Sequence, residues 1–240
     1  MSSGVGFSTG SLAGGDFRHA VDVLNRTTAR AIELSALREP EFLPLLEEVR
    51  TLDLSKYDHV AIHVPSSLQR FGEREIVQSL RQFLQPHHFI VVHADIIKEP
   101  GLWNEFGHRL CVENMDKRKA TGRTVDELSV LMESMRSASI CLDIAHARQV
   151  DPTLSETVGF LTEFRGRIGQ LHVSELNCAS KHDRLSFAGV AALESIRDLI
   201  PAGTPVILEF SAEPHELEAH LKLIANILHP VAPALRRQVG

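Results

Sequence analysis

The sequence is poor in large aromatic residues and in positive charge. It holds one Trp and one Tyr in 240 residues, so it supplies little aromatic surface on which nucleic-acid bases could stack. A formal net charge of −6 gives no support to a protein that grips duplex DNA through many phosphates. We therefore expect a small-molecule substrate and no nucleic-acid partner.

The sequence also lacks the features of membrane and secreted proteins. No apolar run approaches the roughly 20 residues needed to span a bilayer. The first ten residues, MSSGVGFSTG, have neither the basic nor the apolar region of a signal peptide. Three cysteines without a CxxC spacing indicate a reduced compartment and no disulfide framework. These absences predict a cytoplasmic protein without membrane contact, and they leave a homo-oligomer open.

Eight short apolar segments alternate with longer helical patterns. They lie at 5–8, 31–34, 60–64, 89–94, 109–113, 140–143, 168–173 and 205–210. Near-continuous apolar segments of this length are typical of parallel strands covered by helices. A doubly wound open sheet is disfavoured because no Gly-rich phosphate-binding pattern follows the first strand. The repeat predicts an α/β fold, a single (β/α)8 TIM barrel over residues 1–240, with its core at about 5–229 and a tail at 230–240.

Polar side chains end almost every predicted strand. The eight ends are Ser8, Glu33, His63, His93, Glu113, Asp143, His172 and Glu209. Barrel enzymes carry their chemistry at this end of the strands. Residues two positions earlier share the same side-chain direction, and nearly all of them are small or apolar, as a barrel interior requires. Gln170 is the polar exception and needs a partner, whereas Cys111 and Cys141 should be buried below the ring of polar ends.

This ring of His, Asp and Glu predicts a divalent-metal site. Such ligands without a thiolate suit Mn, Zn, Co, Fe or Mg. One histidine at a strand end is more often a hydrogen-bonded core residue. Seven acid/base or metal-capable groups in one ring are hard to explain that way, because buried charges are costly unless paired or metal-bound. His146 follows Asp143 by three residues and could face the same pocket.

Five short runs at these strand ends resemble the xylose isomerase-like TIM barrel superfamily. They are HVP at 63–65, VEN at 112–114, DIAH at 143–146, HVSE at 172–175 and LEF at 208–210. The superfamily includes ketose epimerases, sugar isomerases, dehydratases and endonuclease IV. The resemblance covers about residues 5 to 229, and segments 113–124 and 143–153 resemble a bacterial branch of it.

The resemblance implies a metal held by Glu113, Asp143, His172 and Glu209. Glu113 and Glu209 would then be the acid/base pair of a sugar isomerase or epimerase that works through an enediolate. Four further residues are candidate substrate contacts besides His146: Glu33, Trp103, His182 and Arg184. For Trp103, stacking on a sugar and packing its own loop are equally open interpretations.

A second interpretation uses His63, His93 and His146 for a second ion. Endonuclease IV has histidines at matching positions, which would make the protein a di- or trinuclear hydrolase, a phosphodiesterase or a multinuclear metal oxidase. The last metal-binding motif of endonuclease IV is not reproduced in this sequence, because residues 181–184 hold its Asp, Arg and His in another order. A dehydratase of the same superfamily and a binding barrel without turnover are further alternatives. The number of ions per chain would separate one-metal from multi-metal enzymes.

Overall fold

A computed structural model describes residues 4–36 and 38–228. Residue 229 and the predicted tail at 230–240 lie outside the described residues. The strands are β1 (Val5–Ser8), β2 (Ala31–Ser35), β3 (His59–His63), β4 (Phe89–His93), β5 (Leu110–Glu113), β6 (Ser139–Asp143), β7 (Ile168–Val173), β8 (Glu175–Leu176), β9 (His182–Asp183) and β10 (Val206–Leu208).

Ten α-helices connect or follow these strands within the described ranges. They are α1 (Thr9–Ala13), α2 (Phe17–Leu24), α3 (Glu39–Glu48), α4 (Glu73–Phe83), α5 (Pro100–Trp103), α6 (Val125–Glu133), α7 (Ile144–Val150), α8 (Ser155–Glu163), α9 (Phe187–Ile196) and α10 (Leu217–Leu228). Short 3-10 turns lie at Asn104–Arg109, Arg165–Arg167 and Arg197–Leu199. Among the helices described, none is both long and apolar enough to cross a bilayer.

Eight parallel strands close into a barrel. The order around it is β1-β10-β7-β6-β5-β4-β3-β2, so the first barrel strand pairs with the last. Helices between the strands cover the outside, because each parallel connection must return along the barrel surface. The predicted fold class, a (β/α)8 barrel, is confirmed.

The apolar residues form two separate groups, inside and outside the strands. A small cluster of Ala61, Val91, Cys111 and Cys141 lies apart from the large cluster that the helices share with the other strand faces. These four were predicted by side-chain alternation to face the barrel interior. Burial raises the pKa of the Cys111 thiol to about 12, so it stays protonated and packs as a small apolar side chain.

Closure of the barrel depends on one close backbone approach at β1. Gly6 pairs with Ala31 of β2, and a Cβ at Gly6 would lie 1.7 Å from the Ala31 carbonyl oxygen. That contact is impossible for any larger residue without moving a strand. Packing therefore requires glycine at this position, in agreement with the small residues predicted for the barrel interior.

Several strand boundaries differ from the sequence predictions by one or two residues, and two of these differences affect the rim of the barrel. β2 runs to Ser35, one residue beyond the predicted segment, and β10 is only Val206–Leu208, so Glu209 follows the strand instead of lying within it. The Glu209 amide still donates to the Val173 carbonyl of β7, which keeps the residue at the barrel rim. The antiparallel pair β8 and β9 was not predicted, because two-residue strands carry no periodic signal.

Candidate metal centre

Four acidic or imidazole side chains meet at the carboxyl ends of four neighbouring strands. Glu113 ends β5, Asp143 ends β6, His172 lies near the end of β7, and Glu209 follows β10. All four residues are buried. One potential ligand atom from each lies within 4.8 Å of the others. Residues almost a hundred positions apart in sequence thus form one compact cluster, here called the four-residue site.

The distances at the four-residue site suit a shared divalent ion. His172 Nδ1 lies 3.1 Å from Glu209 Oε2, 3.6 Å from Glu113 Oε1 and 4.0 Å from Asp143 Oδ2. Bonds of about 2.1 Å from one ion place its ligand atoms no more than about 4.2 Å apart. The three distances from His172 fall within that limit, and the four ligand atoms lie within 4.8 Å of one another, so the cluster is compact enough for a single ion to be shared.

Two atoms of the site are buried without a hydrogen-bond partner among the described residues: Asp143 Oδ2 and His172 Nδ1. The other oxygen of Asp143 is occupied, because it accepts a hydrogen bond from the His146 amide at 2.7 Å and caps α7. A buried polar atom that lacks a partner costs free energy, and a bound cation removes that cost. The residues present therefore fit a divalent metal.

Burial and charge act against each other on the carboxylates. Burial alone would raise the pKa of Glu209, but the positive charges of His172 and His182 outweigh it and hold that pKa well below its usual range. Burial likewise opposes ionisation of Glu113, and the charges of His93 and His172 lower its pKa. Asp143 differs, since burial dominates there and raises its pKa. Ionised carboxylates thus depend on nearby positive charge, which a metal ion would supply.

A second group of potential ligands lies beside the first. His63 Nε2 is 2.9 Å from Glu113 Oε2, and His93 Nε2 is 3.5 Å from the same oxygen. His63 Nδ1 donates to the Val64 carbonyl at 2.7 Å, which leaves Nε2 directed at Glu113. Burial opposes a charge on His63, but the carboxylates of Glu33 and Glu113 outweigh it and raise its pKa to about 9. His63 Nε2 thus faces a carboxylate and is placed to bind either a proton or a metal ion.

His146 and His182 border the opposite side of the four-residue site. His146 Nδ1 lies 3.3 Å from Glu113 Oε1 and 3.6 Å from Asp143 Oδ2, and His182 Nδ1 lies 3.8 Å from Glu209 Oε2. The unpredicted β8–β9 pair carries His182 to this position. One potential ligand atom each from Asp143, His146 and His182 likewise lies within 4.8 Å of the others.

Asn114 holds this side of the site in place, a role that the sequence did not reveal. Its side chain bonds to both backbone groups of Asp143, with Oδ1 accepting from the amide at 2.7 Å and Nδ2 donating to the carbonyl at 3.0 Å. Its own carbonyl accepts from His146 Nδ1 at 2.9 Å. The only signal was its position directly after Glu113 in the run VEN.

A cavity of about 520 Å³ opens above these groups. Its floor includes Glu113 and Glu209, with His63, His93, His146 and His182 around them. Serine hydroxyls line much of its wall: Ser8, Ser11, Ser35, Ser66, Ser67 and Ser180. Arg118 and Lys119 also reach the cavity, where Arg118 pairs with Asp116 and Lys119 pairs with Asp95 at 2.6 Å. The volume is in the range of small-molecule sites, and most of the lining residues carry polar side chains.

Three predicted substrate contacts lie elsewhere. Glu33 is fully buried below the ring and does not border the cavity, because Ser35 takes the rim position of β2. Trp103 is fully buried and donates from Nε1 to Glu73 at 2.8 Å, so it packs its own loop. Arg184 makes two hydrogen bonds to Glu216, at 2.7 and 2.6 Å, outside the cavity. None of the three lines the cavity, and their role as substrate contacts stays a prediction.

Comparison with known proteins gives matches in structure only. No protein-family model matches the sequence, and no curated protein matches it. The structure matches the probable 3-DHS dehydratase AsbF of Bacillus anthracis with a TM-score of 0.58 and 14% identity, over 93% of this chain and 99% of that one. It matches the 3-keto-D-glucoside 4-epimerase YcjR of E. coli with a TM-score of 0.58 and 12% identity, over 93% and 98% of the two chains.

The IolI protein, solved with a bound zinc atom, is a third neighbour, with a TM-score of 0.54 and 11% identity over 93% of this chain and 96% of that one. The closed (β/α)8 barrel is the fold that this chain shares with these three neighbours. This finding confirms the fold that the five sequence runs implied. AsbF and YcjR are named as enzymes, and identities of 11–14% extend the likeness of this chain to the fold alone.

Proposed function

We propose that this protein is a divalent-metal-dependent isomerase or epimerase of sugars or sugar-like carbonyl compounds. The observation that carries the proposal is the four-residue site, in which two glutamates, an aspartate and a histidine converge at the floor of a cavity lined mostly by residues with polar side chains. When bound there, a divalent ion would polarise a substrate carbonyl and stabilise the negative charge that develops on its oxygen.

Proton transfer is assigned to Glu113 and Glu209, since both carboxylates border the cavity. One takes a proton from the carbon next to the carbonyl, and the other returns a proton to the resulting enediolate. Positive charge from neighbouring histidines favours the ionised form that the abstracting base needs, and the carboxyl that returns the proton must first take one up from the solvent. The serine hydroxyls on the wall offer donors and acceptors to a polyhydroxylated substrate.

Hydrogen exchange with the solvent tests the proposal. We expect metal-loaded protein in D₂O to incorporate deuterium at one carbon next to the carbonyl in an active member of a ketose and aldose panel. The label enters because the returning proton comes from a carboxyl that exchanges with water. Mass spectrometry and NMR of the recovered sugars locate it, and incubation without protein is the control. Conversion without deuterium would contradict the two-base assignment, and water loss without isomer formation would identify a dehydratase.

The second candidate function is a two-metal hydrolase or oxidase, which the neighbouring group of His63, His93 and Glu113 favours. His93 Nδ1 and Asp95 Oδ1 lie 3.9 Å apart and are both buried without a hydrogen-bond partner in the described part of the chain. A carboxylate behind the far nitrogen of a histidine is common at metal ligands. This group could therefore hold a second ion that shares Glu113 with the first.

The number of ions per chain separates the two functions. We expect about one divalent ion per chain in the wild-type protein by elemental analysis, and the same number in a His93→Ala variant, because an isomerase needs only the four-residue site. His108→Ala is the matched control, since this exposed histidine precedes β5 at the other end of the barrel. Two or more ions in the wild type, with one fewer in His93→Ala alone, would replace the isomerase with the two-metal enzyme.

A further inference from the structure

A buried hydrogen-bonded network lies directly below the four-residue site. Its members come from β2, β3 and β7, and the sequence had marked only one of them, Gln170, as a polar residue in need of a partner. We infer that Glu33, held by this network, is a positioning residue that fixes the ring of His172 with Nδ1 facing the metal site. The inference rests on the proposed function, because it assigns His172 to the metal.

Glu33 is tied in place through both carboxylate oxygens. Oε2 accepts from Gln170 Nε2 at 2.7 Å and lies 2.9 Å from His172 Nε2. Oε1 accepts from the Ser35 hydroxyl at 3.3 Å, and Ser35 is in turn 2.6 Å from Ser8. Glu33 and His172 are both fully buried. Neither side chain can leave this arrangement without breaking several buried hydrogen bonds.

The contacts of Gln170 decide which group His172 Nε2 faces. Gln170 Oε1 lies 2.7 Å from His59 Nε2, and Gln170 Nε2 donates to Glu33 Oε2 at 2.7 Å and lies 2.8 Å from His172 Nε2. An amide nitrogen cannot accept a hydrogen bond, and its second hydrogen has the Cys141 sulfur at 3.7 Å as an acceptor, so we assign the hydrogen to His172 Nε2, which donates it to the Glu33 carboxylate at 2.9 Å. With the hydrogen on Nε2, a bound metal ion would take the place of the second proton on Nδ1, which is the nitrogen that points at Glu113, Asp143 and Glu209.

An alternative interpretation makes Glu33 a metal ligand, because one potential ligand atom each from Glu33, His63 and Glu209 also lies within 4.8 Å of the others. Its hydrogen bonds argue against that role. Both of its oxygens already accept hydrogen bonds, whereas Asp143 Oδ2 and His172 Nδ1 have none within the described residues. An ion at Glu33 would have to displace Gln170 or Ser35, while an ion at the four-residue site displaces nothing.

Two measurements test this role: the affinity of the protein for a metal ion, and the absorption spectrum of the bound ion, which depends on its ligands. Glu33→Gln keeps the volume and can keep the hydrogen bonds, but it removes the charge that makes His172 a better donor. We expect the dissociation constant for Zn²⁺, measured by competition with a chromophoric chelator, to rise by about 10- to 100-fold. We also expect the visible absorption of the Co²⁺-loaded protein to shift. If Glu33→Gln does not fold, Glu33→Asp keeps the charge, withdraws the oxygen from His172 and should change the same two readouts.

The matched control is His59→Gln, which alters the far end of the same network without touching Glu33 or His172. It should lower the melting temperature of the metal-free protein and leave the Zn²⁺ affinity and the Co²⁺ spectrum unchanged. A wild-type protein that binds neither ion would overturn the proposed function together with this inference. A wild type that binds both ions, with Glu33 variants of equal affinity and spectrum, would overturn the role of Glu33 alone.

Discussion

Glu209→Gln should lower turnover by about 10³-fold while the protein stays folded, a loss in the range for removing one acid or base. The change replaces an ionised carboxylate with a neutral amide of nearly the same volume. The amide cannot take a proton from carbon. Because the Glu209 side chain borders the cavity and lies 3.1 Å from His172 Nδ1, it has no role in the apolar core.

Loss of proton transfer must be separated from loss of metal, since Glu209 is assigned to both. Activity is therefore measured at several metal concentrations up to saturation, with bound metal quantified in each sample and folding checked by circular dichroism. We expect activity to stay low when the metal content matches that of the wild type. Glu194→Gln, the same chemical change on an exposed face of α9, is the control and should be fully active. Wild-type turnover in Glu209→Gln would rule out its acid/base role.

The barrel and its polar ring could be predicted because both depend on local patterns. A parallel strand buried on both faces is a short apolar run, and its last inward residue meets the rim. Glu113, Asp143, His172 and Glu209 follow that rule closely enough for the structure to bring them together. The interior also follows from alternation, which places Ala61, Val91, Cys111 and Cys141 in a cluster of their own.

Glu33 shows why the end of an apolar run could not predict how deep in the barrel each side chain lies. β2 continues to Ser35, and Ser35, not Glu33, pairs with His63 at the rim. Glu33 is paired with Ala61 and so lies one layer lower, where it contacts His172. A shift of two residues keeps the inward direction and changes the layer. The end of an apolar run does not fix where strand pairing stops.

Arg184 and Trp103 illustrate a second limit, which is the choice of partner. Arg184 pairs with Glu216, 32 residues later, and Trp103 bonds to Glu73, 30 residues earlier. Partners this distant depend on how neighbouring βα units pack, and no local pattern encodes that. His182 reaches the cavity for a similar reason, through the pairing of β8 with β9. Side chains on loops were therefore less predictable than those on strands.

Removal of the metal should abolish activity and lower the melting temperature by about 10 °C. An ion at 1,000 times its dissociation constant stabilises the folded state by about 4 kcal/mol. For a chain of this size, each kcal/mol corresponds to about 2–4 °C. The buried carboxylates of the four-residue site would repel one another in the empty site, so the ion should contribute strongly to stability. Differential scanning calorimetry of chelator-treated and metal-reloaded protein measures the effect.

A His172→Ala variant is the matched test for where the ion acts. It removes the nitrogen that faces all three carboxylates, so its melting temperature should not respond to added Zn²⁺ or Mn²⁺. His108→Ala, an exposed histidine at the other end of the barrel, should respond as the wild type does. An equal response in His172→Ala would place the stabilising ion elsewhere. If no divalent ion raises the melting temperature of the wild type, the four-residue site does not bind metal and the proposed metal-dependent function is wrong.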